Sequence, residues 1–197
     1  MSPWYILADT VRRQPQDRAI WTRERNWTYQ EFHDHTAQLA QWMVEEGIRP
    51  GDLVALYLHN SAEFAMLMFA CHCIGAAPAM INYNLENEAL LHCLNVAQSR
   101  LLIVDTDEAC QRRINDSRKG IEDAGTKIVT LDDRFKQSIR SRPLIVPDDE
   151  LRKNMKPEFP YALVRSFSVV RNMLHPHNFR RYIPQGPPAC RKAVLSP

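Results

Sequence analysis

The sequence predicts an α/β fold with a mainly parallel sheet, and three observations support this prediction. Apolar runs of strand length recur along the chain, segments of helical length lie between them, and glycine, proline or polar residues stand at the junctions. Strands that alternate with helices in this way are typical of a parallel sheet covered by helices. A length of 197 residues with 45% hydrophobic side chains is sufficient for one globular domain.

The first predicted helix begins at a capping box. Within Trp27–Phe32, the Thr28 side chain can accept a hydrogen bond from the backbone of Glu31, whose carboxylate can reach back to the cap. Apolar residues then recur at close to the helical period, and Gly47 followed by Pro50-Gly51 ends the helix. These apolar positions are Phe32, Leu39, Trp42 and Met43.

Strands and helices alternate after this helix. The apolar run Leu53–Leu58 has the continuous hydrophobicity of a strand that is buried on both faces. Ser61 is placed to cap a helix over Ala62–Ile74, which is apolar nearly all round and is therefore predicted to be buried. Residues 132–156 are predicted to form a loop with at most one short helix. The elements between are strand Ala76–Ile81, helix Glu86–Ala97, strand Leu101–Val104, polar helix Glu108–Asp123 and strand Lys127–Leu131.

Charge and composition change near Val164. Residues 165–197 contain six of the 25 basic residues, none of the 23 acidic residues and five of the 13 prolines. Residues 1–164 therefore carry a net charge of −4, whereas the whole chain carries +2. A net charge this small gives no case for a nucleic-acid partner. We predict that residues 1–164 form the folded domain and that residues 165–197 form an irregular tail.

Cysteine usage and hydropathy indicate the setting of the chain. The five cysteines include no C-x-x-C pair and no signal peptide is apparent, so we predict reduced thiols in an intracellular setting. No apolar run approaches the roughly 20 residues that a membrane-spanning helix needs. The chain as written is therefore predicted not to cross a bilayer.

Four segments have the order and spacing of a known family: Trp27–Phe32, Gly47–Leu56, Asn60–Phe64 and Gly75-Ala76. They resemble the opening of adenylate-forming enzymes, the superfamily of acyl-CoA synthetases, luciferases and peptide-synthetase adenylation domains. Within it, Ile81-Asn-Tyr-Asn-Leu85 followed by Leu90–Asn95 is similar to a stretch typical of very-long-chain acyl-CoA synthetases and fatty-acid transport proteins. The resemblance covers Trp4 to Leu163 and implies an incomplete N-terminal α/β subdomain of that fold.

The resemblance also implies an activity for an intact parent protein. A fatty carboxylate attacks the α-phosphate of ATP to give acyl-adenylate and pyrophosphate, and the CoA thiol then displaces AMP. ATP, Mg²⁺ and CoA are thus implied as cofactors of the parent, and a fatty acid is implied as its substrate. The resemblance further implies a parent associated with a membrane of the endoplasmic reticulum, peroxisome, lipid droplet or cell surface.

The phosphate-binding loop of the family is missing from the expected place. In the family it reads approximately Y-T-S-G-T-T-G-L-P-K, follows a strand similar to Tyr161-Ala-Leu163, and holds the phosphates with backbone N–H groups and a lysine. Here Val164-Arg-Ser-Phe-Ser168 follows that strand. The chain as written is therefore expected to be truncated before the loop and inactive, with no cofactor of its own.

The tail encodes this loop in another reading frame. One permitted back-translation of Ile183–Val194, read from the last base of the Tyr182 codon, spells Y-T-S-G-T-T-G-L-P-K-G-C. The observed residues dictate the second and third bases of nearly every shifted codon, so this agreement is not expected by chance. Val164-Arg165 can be encoded as GTACGT, an intron start, and Arg181 as AGA, which supplies an intron end. We therefore predict that residues 164–181 are translated intron and that residues 182–197 are out-of-frame exon.

No residue of this chain is predicted to be catalytic, cofactor-binding or metal-binding. His33 and His35 are expected to be surface or satisfied core histidines. The side chains of Cys71, His72 and Cys73 point in different directions on one helix, which disfavours a shared metal ion.

Polar residues at the strand ends are likewise given structural interpretations. Asp105, Asp107 and Glu108 follow a strand, where α/β folds often place chemistry, but solvated loop charges are the preferred interpretation. Asn82 and Asn84 are expected to shape a turn. His175 and His177 lie in the predicted intron and receive no functional role.

Three other functions are left open by the sequence. The chain could be a non-catalytic binding or regulatory fragment that pairs with a full-length enzyme. The parent could activate another carboxylic acid, which only its acyl tunnel would decide. A flavodoxin-like signalling domain is the least favoured, because the strand ends supply no glycine-rich phosphate turn and no acidic phosphoacceptor set.

Overall fold

The computed structural model describes residues 2–146. The predictions for the tail after residue 164, including its irregular structure and His175 and His177, lie outside the described residues. In chain order the elements are α1 (Pro3–Arg13), β1 (Arg18–Trp21), β2 (Asn26–Thr28), α2 (Tyr29–Glu45), β3 (Leu53–Tyr57), α3 (Ala62–Cys73), β4 (Ala77–Met80), α4 (Asn87–Ala97), β5 (Leu101–Val104), α5 (Glu108–Asp123), β6 (Lys127–Thr130) and α6 (Asp133–Arg140).

The N-terminal α1 and the β1–β2 hairpin are absent from the sequence prediction. Helix α1 begins at Ser2, whose side chain accepts from the Trp4 N–H, and Pro3 occupies the first helical position, where its missing N–H costs nothing. Trp4, Leu7 and Val11 lie on its buried face. Strands β1 and β2 pair antiparallel, and both strands and α1 contact α2.

The capping box predicted for α2 is confirmed. The Glu31 N–H donates to Thr28 Oγ1 over 3.2 Å, and the Thr28 N–H donates to Glu31 Oε2 over 2.9 Å. The chain turns at Gly47, whose φ of +86° lies in the left-handed region that favours glycine. The capping box and this glycine therefore set the two limits of the helix.

A four-stranded sheet forms the centre of the described domain, with strand order β4-β3-β5-β6. All three strand pairs are parallel, and Ala55 of β3 faces Ala79 of β4 on one side and Leu102 of β5 on the other. The α/β fold with a parallel sheet predicted from the sequence is confirmed. The inner position of β3 and β5 explains why their runs are apolar without alternation.

Helices cover both faces of this sheet. Val54 and Leu56 of β3, with Leu101 and Ile103 of β5, contribute to a large core that also contains residues of α1, α2 and α3. The intervening residues of the same strands point to a smaller core against α4 and α5. The second core contains Ala55, Tyr57, Leu102, Val104, Leu90, Leu94, Cys110, Ile114 and Ile121. The arrangement has three layers, as expected from a sheet buried on both faces.

Helix α3 is buried as its composition predicts. Met66, Leu67, Ala70, Cys71 and Cys73 are fully buried, and α3 packs mainly against α2. In residues 132–146, the part of the predicted loop that the structure describes, one short helix forms, which is α6 with Asp132 as its cap. The prediction for residues 147–156 lies outside the described residues. Among residues 2–146, no helix is both long enough and apolar enough to cross a membrane.

Candidate functional site

The carboxyl edge of the four-stranded sheet contains the point at which the strand order reverses. From β3 the chain passes to β4 on one side and then to β5 on the other side. In open α/β sheets the two connections diverge at such a point and leave a crevice in which ligands bind. Four polar residues that follow β3 and β5 meet there, and we call them the edge cluster: His59, Asp105, Asp107 and Cys110.

Asp105 connects the ends of β3 and β5. Its Oδ2 accepts from the His59 backbone N–H over 3.0 Å and lies 3.2 Å from His59 Nδ1, while its Oδ1 accepts from the Asp107 N–H over 3.0 Å. Burial opposes ionisation of this carboxyl, but these donors outweigh it and hold the pKa of Asp105 below its ordinary value. The prediction of a solvated loop charge is therefore wrong for Asp105, because the neighbouring strand end supplies donors for its carboxylate.

Asp107 begins helix α5 and lies beside a buried thiol. Its Oδ1 accepts from the Cys110 N–H over 3.0 Å as the N-cap of the helix. Burial, together with the charges of Asp107 and Asp105, raises the pKa of the Cys110 thiol to about 11. Asp107 and Glu108 are exposed, which agrees with the solvated charges expected for these two residues.

The segment between β4 and α4 covers one side of the cluster. The Tyr83 ring lies against the His59 imidazole with 4.0 Å between ring centroids. Two hydrogen bonds to backbone carbonyls hold this segment in place. The Tyr57 hydroxyl donates to the Leu85 carbonyl over 2.7 Å, and Arg113 Nη1 donates to the Tyr83 carbonyl over 2.9 Å. Asn82 Oδ1 accepts from the Asn84 N–H over 3.0 Å, so the predicted turn-forming role is confirmed for this pair.

The described part of the carboxyl edge does not fit the phosphates of ATP. Phosphate cradles need glycines after a strand, where backbone N–H groups can approach the oxygens. In residues 2–146 the glycines with positive φ are Gly47, Gly51, Gly75 and Gly125, and each precedes a strand at the opposite edge. The turn after β5 instead presents three carboxylates, which repel phosphate. No step of ATP chemistry is therefore assigned to the described residues.

The histidines and cysteines named from the sequence lie in packed surroundings. His33 stacks on Trp4 at 4.8 Å and contacts Asp34 through Nδ1 at 3.0 Å. His35 is buried against Trp27, and burial lowers its pKa.

The buried α3 residues have no reactive character. Burial lowers the pKa of His72 to about 4 and raises that of the Cys71 thiol, whose Sγ lies 4.0 Å from Met43 Sδ. Cys71, Cys110 and Cys93 on α4 are free thiols.

His59 and Cys110 are the residues of the edge cluster that the sequence interpretation passed over. His59 follows the apolar run of β3, and Asp105 follows the apolar run of β5. A polar residue directly after such a run is a candidate for the carboxyl edge of the sheet, and this was the signal available in the sequence. The pairing of β3 with β5, with β4 placed outside, is what brings them together. Sequence periodicity does not determine that order.

A family model described as AMP-binding enzyme matches residues 7–164 of the chain. Among curated proteins, isopenicillin N epimerase component 1 of Hapsidospora chrysogena is 32% identical over 133 residues, covering 66% of this chain and 22% of that protein. The very long-chain fatty acid transport protein of Cochliobolus heterostrophus is 31% identical over 136 residues, covering 68% and 21%. The chain thus spans about a fifth of the length of these relatives.

Solved structures share the fold at low sequence identity. The N-terminal domain of FACL13 from Mycobacterium tuberculosis superposes with a TM-score of 0.69 at 22% identity, covering 75% of this chain and 38% of that one. A fatty acyl CoA synthetase of the same organism gives a TM-score of 0.68 at 23% identity, covering 74% of this chain and 29% of that one. These likenesses support the α/β architecture described above.

Proposed function

The chain belongs to the AMP-binding enzyme family, and we propose that it is the N-terminal part of a longer ligase that activates fatty acids. In the proposed reaction a fatty carboxylate attacks the α-phosphate of ATP, pyrophosphate leaves, and the CoA thiol then displaces AMP from the acyl-adenylate. ATP, Mg²⁺ and CoA act in the parent protein. The observation that carries the proposal is the family match over residues 7–164.

The fatty-acid class rests on the relatives and on one segment of this chain. Relatives at 25% to 31% identity bear the names very long-chain or long-chain fatty acid transport protein. The segment Ile81–Leu85 has the sequence expected for that group, and Tyr57 and Arg113 hold it rigidly over the sheet edge. We assign long-chain or very-long-chain fatty acids as the substrates of the parent.

The described residues contribute support rather than chemistry in this proposal. They supply a packed three-layer unit whose carboxyl edge carries carboxylates where a phosphate site would need glycine. The ATP phosphates are assigned to the Y-T-S-G-T-T-G loop, which the chain as written replaces with Val164–Ser168. The 197-residue chain is therefore proposed to be inactive by itself.

The tail has its own proposal and test. The synthetase domain extends to the splice boundary at Val164, residues 164–181 are translated intron and residues 182–197 are out-of-frame exon. Sequencing the cDNA between the codons for Leu163 and Tyr182 tests this directly. Transcripts that lack the interval and continue through the glycine-rich loop support the proposal. Transcripts that all retain the interval would contradict it.

Activity is tested by comparing two proteins. The 197-residue chain and the full-length product of the joined reading frame are assayed for ATP-dependent pyrophosphate release with fatty acids of increasing chain length. We expect release only from the full-length product, and substitution of the loop lysine in that product is the matched control. Turnover by the 197-residue chain would contradict its proposed inactivity, and a full-length product that is inactive with every fatty acid would contradict the substrate class.

A ligase for another carboxylic acid is the second candidate. Two of the relatives do not bear the name of a fatty acid transport protein. They are acetyl-coenzyme A synthetase of Photobacterium profundum, which is 29% identical over 117 residues, and isopenicillin N epimerase component 1. Including acetate and aromatic acids in the same pyrophosphate assay separates the two candidates. Preference for one of these acids over a long-chain acid would favour the second.

A non-catalytic role remains the proposal for the fragment if cells produce it. In that case it binds the full-length enzyme, and copurification of the two supports this role, whereas an insoluble fragment counts against it. The parent is proposed to be intracellular and membrane-associated, as the transport-protein names of its relatives suggest. Fractionation of cells that express the full-length product tests this location.

A further inference from the structure

The edge cluster combines three different metal-binding groups at one place. A ring nitrogen of His59, a carboxylate oxygen of Asp107 and the Cys110 sulfur all lie within 4.8 Å of one another. They come from two separate strand ends and the first turn of α5, so their meeting depends on the fold and not on sequence proximity. Imidazole, thiolate and carboxylate together are a donor set for Zn²⁺ rather than for Mg²⁺ or Ca²⁺, which prefer oxygen alone.

We propose that His59, Asp107 and Cys110 bind one Zn²⁺ ion at the carboxyl edge of the sheet, with water as the fourth ligand. Tetrahedral Zn²⁺ with bonds of about 2.0 Å to nitrogen and about 2.3 Å to sulfur places its donors roughly 3.5 Å apart. The observed separations of at most 4.8 Å reach this value when the side chains move inward by about 1 Å. Because Cys110 is buried, Asp107 exposed and His59 partly exposed, the fourth position faces solvent.

Asp105 supports the site without being a ligand. It contacts His59 Nδ1 at 3.2 Å, which leaves Nε2 as the nitrogen that binds the ion. Histidines that bind metals commonly donate their other ring N–H to a carboxylate, which fixes the tautomer and the ring orientation. The Tyr83 ring also packs against the imidazole, at 4.0 Å between ring centroids, and restricts its rotation. The His59 ring is therefore held in place before the ion arrives.

Binding replaces a proton at the Cys110 sulfur. The S–H bond breaks, the sulfur forms a bond to Zn²⁺, and the proton passes to solvent. Asp107 can keep its capping bond through Oδ1, which accepts from the Cys110 N–H, while Oδ2 binds the ion. Metal binding at this site does not require ligase activity and does not involve the ATP-binding loop.

The first test measures metal binding to the intact 197-residue chain carrying Cys190→Ser, which removes the thiol of the tail. We expect one Zn²⁺ per chain by isothermal titration calorimetry after chelator treatment. Co²⁺ in place of Zn²⁺ should give the ultraviolet thiolate charge-transfer band and the visible bands of a tetrahedral site. Absence of the thiolate band from this chain would overturn the proposal, and this readout needs no further substitution.

Substitutions then identify the ligands. Cys110→Ser and His59→Gln should each weaken Zn²⁺ binding more than about 100-fold, and Asp105→Asn should weaken it about 10- to 100-fold while leaving tetrahedral Co²⁺ bands at saturation. Cys93→Ser and His92→Gln on α4 are the matched controls and should bind Zn²⁺ as tightly as the chain without these substitutions does. Circular dichroism establishes that each variant is folded. Zn²⁺ binding that is unchanged in folded Cys110→Ser and His59→Gln would contradict the assignment.

Discussion

Two groups of histidine and cysteine side chains show how position controls chemistry in this molecule. Cys71, His72 and Cys73 are consecutive on α3 and fully or almost fully buried in the large core. The edge cluster draws His59 and Cys110 from distant parts of the sequence to the rim of the sheet. The adjacent residues diverge into packed surroundings, whereas the distant residues converge near solvent. Proximity in the sequence is thus a poor guide to a shared site on a helix.

The two regions also differ in the groups that surround each ionisable side chain. Around His72 burial dominates, and it favours the neutral imidazole. Around Asp105 three hydrogen-bond donors outweigh burial and favour the charged carboxylate. The core should therefore lose stability when a histidine must take up a proton, and the edge should lose stability when a carboxylate must do so.

The largest expected effect concerns His72. Its pKa falls from 6.5 in the unfolded chain to about 4 in the folded chain, which corresponds to roughly 3 kcal/mol. This stabilisation is complete above about pH 6.5 and is lost as the pH falls toward 4, because only the unfolded state takes up the proton. Urea unfolding at a series of pH values should show that the free energy of unfolding depends less on pH in His72→Gln than in the unsubstituted chain.

The exposed His92 provides the matched control for this measurement. His92→Gln should retain the pH dependence of the unsubstituted chain. The second buried imidazole, His35, is present in every variant, so its contribution to the pH dependence should be the same in all of them. An unchanged slope in His72→Gln between pH 6.5 and 4 would show that the core does not exclude the charged imidazole.

A smaller effect is expected at the edge from Asp105→Asn. Loss of the charged acceptor for the His59 and Asp107 N–H groups should cost about 1.5–3 kcal/mol at neutral pH. Because the pKa of Asp105 is lowered, its contribution is present above the ordinary aspartate pKa of about 3.9 and is lost as the pH falls further. The difference in unfolding free energy between Asp105→Asn and the unsubstituted chain should therefore become smaller under acid conditions. Asp116→Asn, at an exposed position of α5, should leave stability within about 0.5 kcal/mol.

The smallest expected effect comes from Tyr57→Phe. Removing the hydroxyl that donates to the Leu85 carbonyl should cost about 0.5–1.5 kcal/mol and should loosen the segment over the edge. Tyr83→Phe keeps the ring against His59 and serves as the control. Amide hydrogen exchange in residues 81–86 should rise in Tyr57→Phe and not in the control. Equal exchange in the two variants would mean that the hydroxyl does not hold the segment.

Local signals predicted most of the described fold. Strand Leu101–Val104 and helix Glu108–Asp123 have the predicted limits, because an apolar run and an aspartate N-cap mark them clearly. The β1–β2 hairpin was missed because its strands are short and carry polar residues, so their pairing is visible only in space. Helix α1 was missed although Ser2-Pro3 and the spacing of its apolar residues signalled it.

The site was predictable only in part. Asp105 was noticed as a residue after a strand, but its interpretation as a solvated charge ignored the donors on the next strand end. Those donors are on His59, which follows β3, and their position follows from β5 pairing directly with β3. Hydrophobic pattern determines which residues form strands, while side-chain packing across the sheet determines which strands are neighbours. The candidate site depends on which strands are neighbours.

The strand order also has a consequence for how the chain folds during synthesis. Val54 pairs with Pro78 of β4 and with Leu101 of β5, and the β4 partner emerges first and closes the shorter loop. The β3–α3–β4 unit can therefore assemble before β5 has left the ribosome. The bond between the His59 N–H and Asp105 can form only when β5 docks on the free side of β3. Protection of the His59 amide in pulse-labelling experiments should thus mark the moment at which β5 pairs with β3.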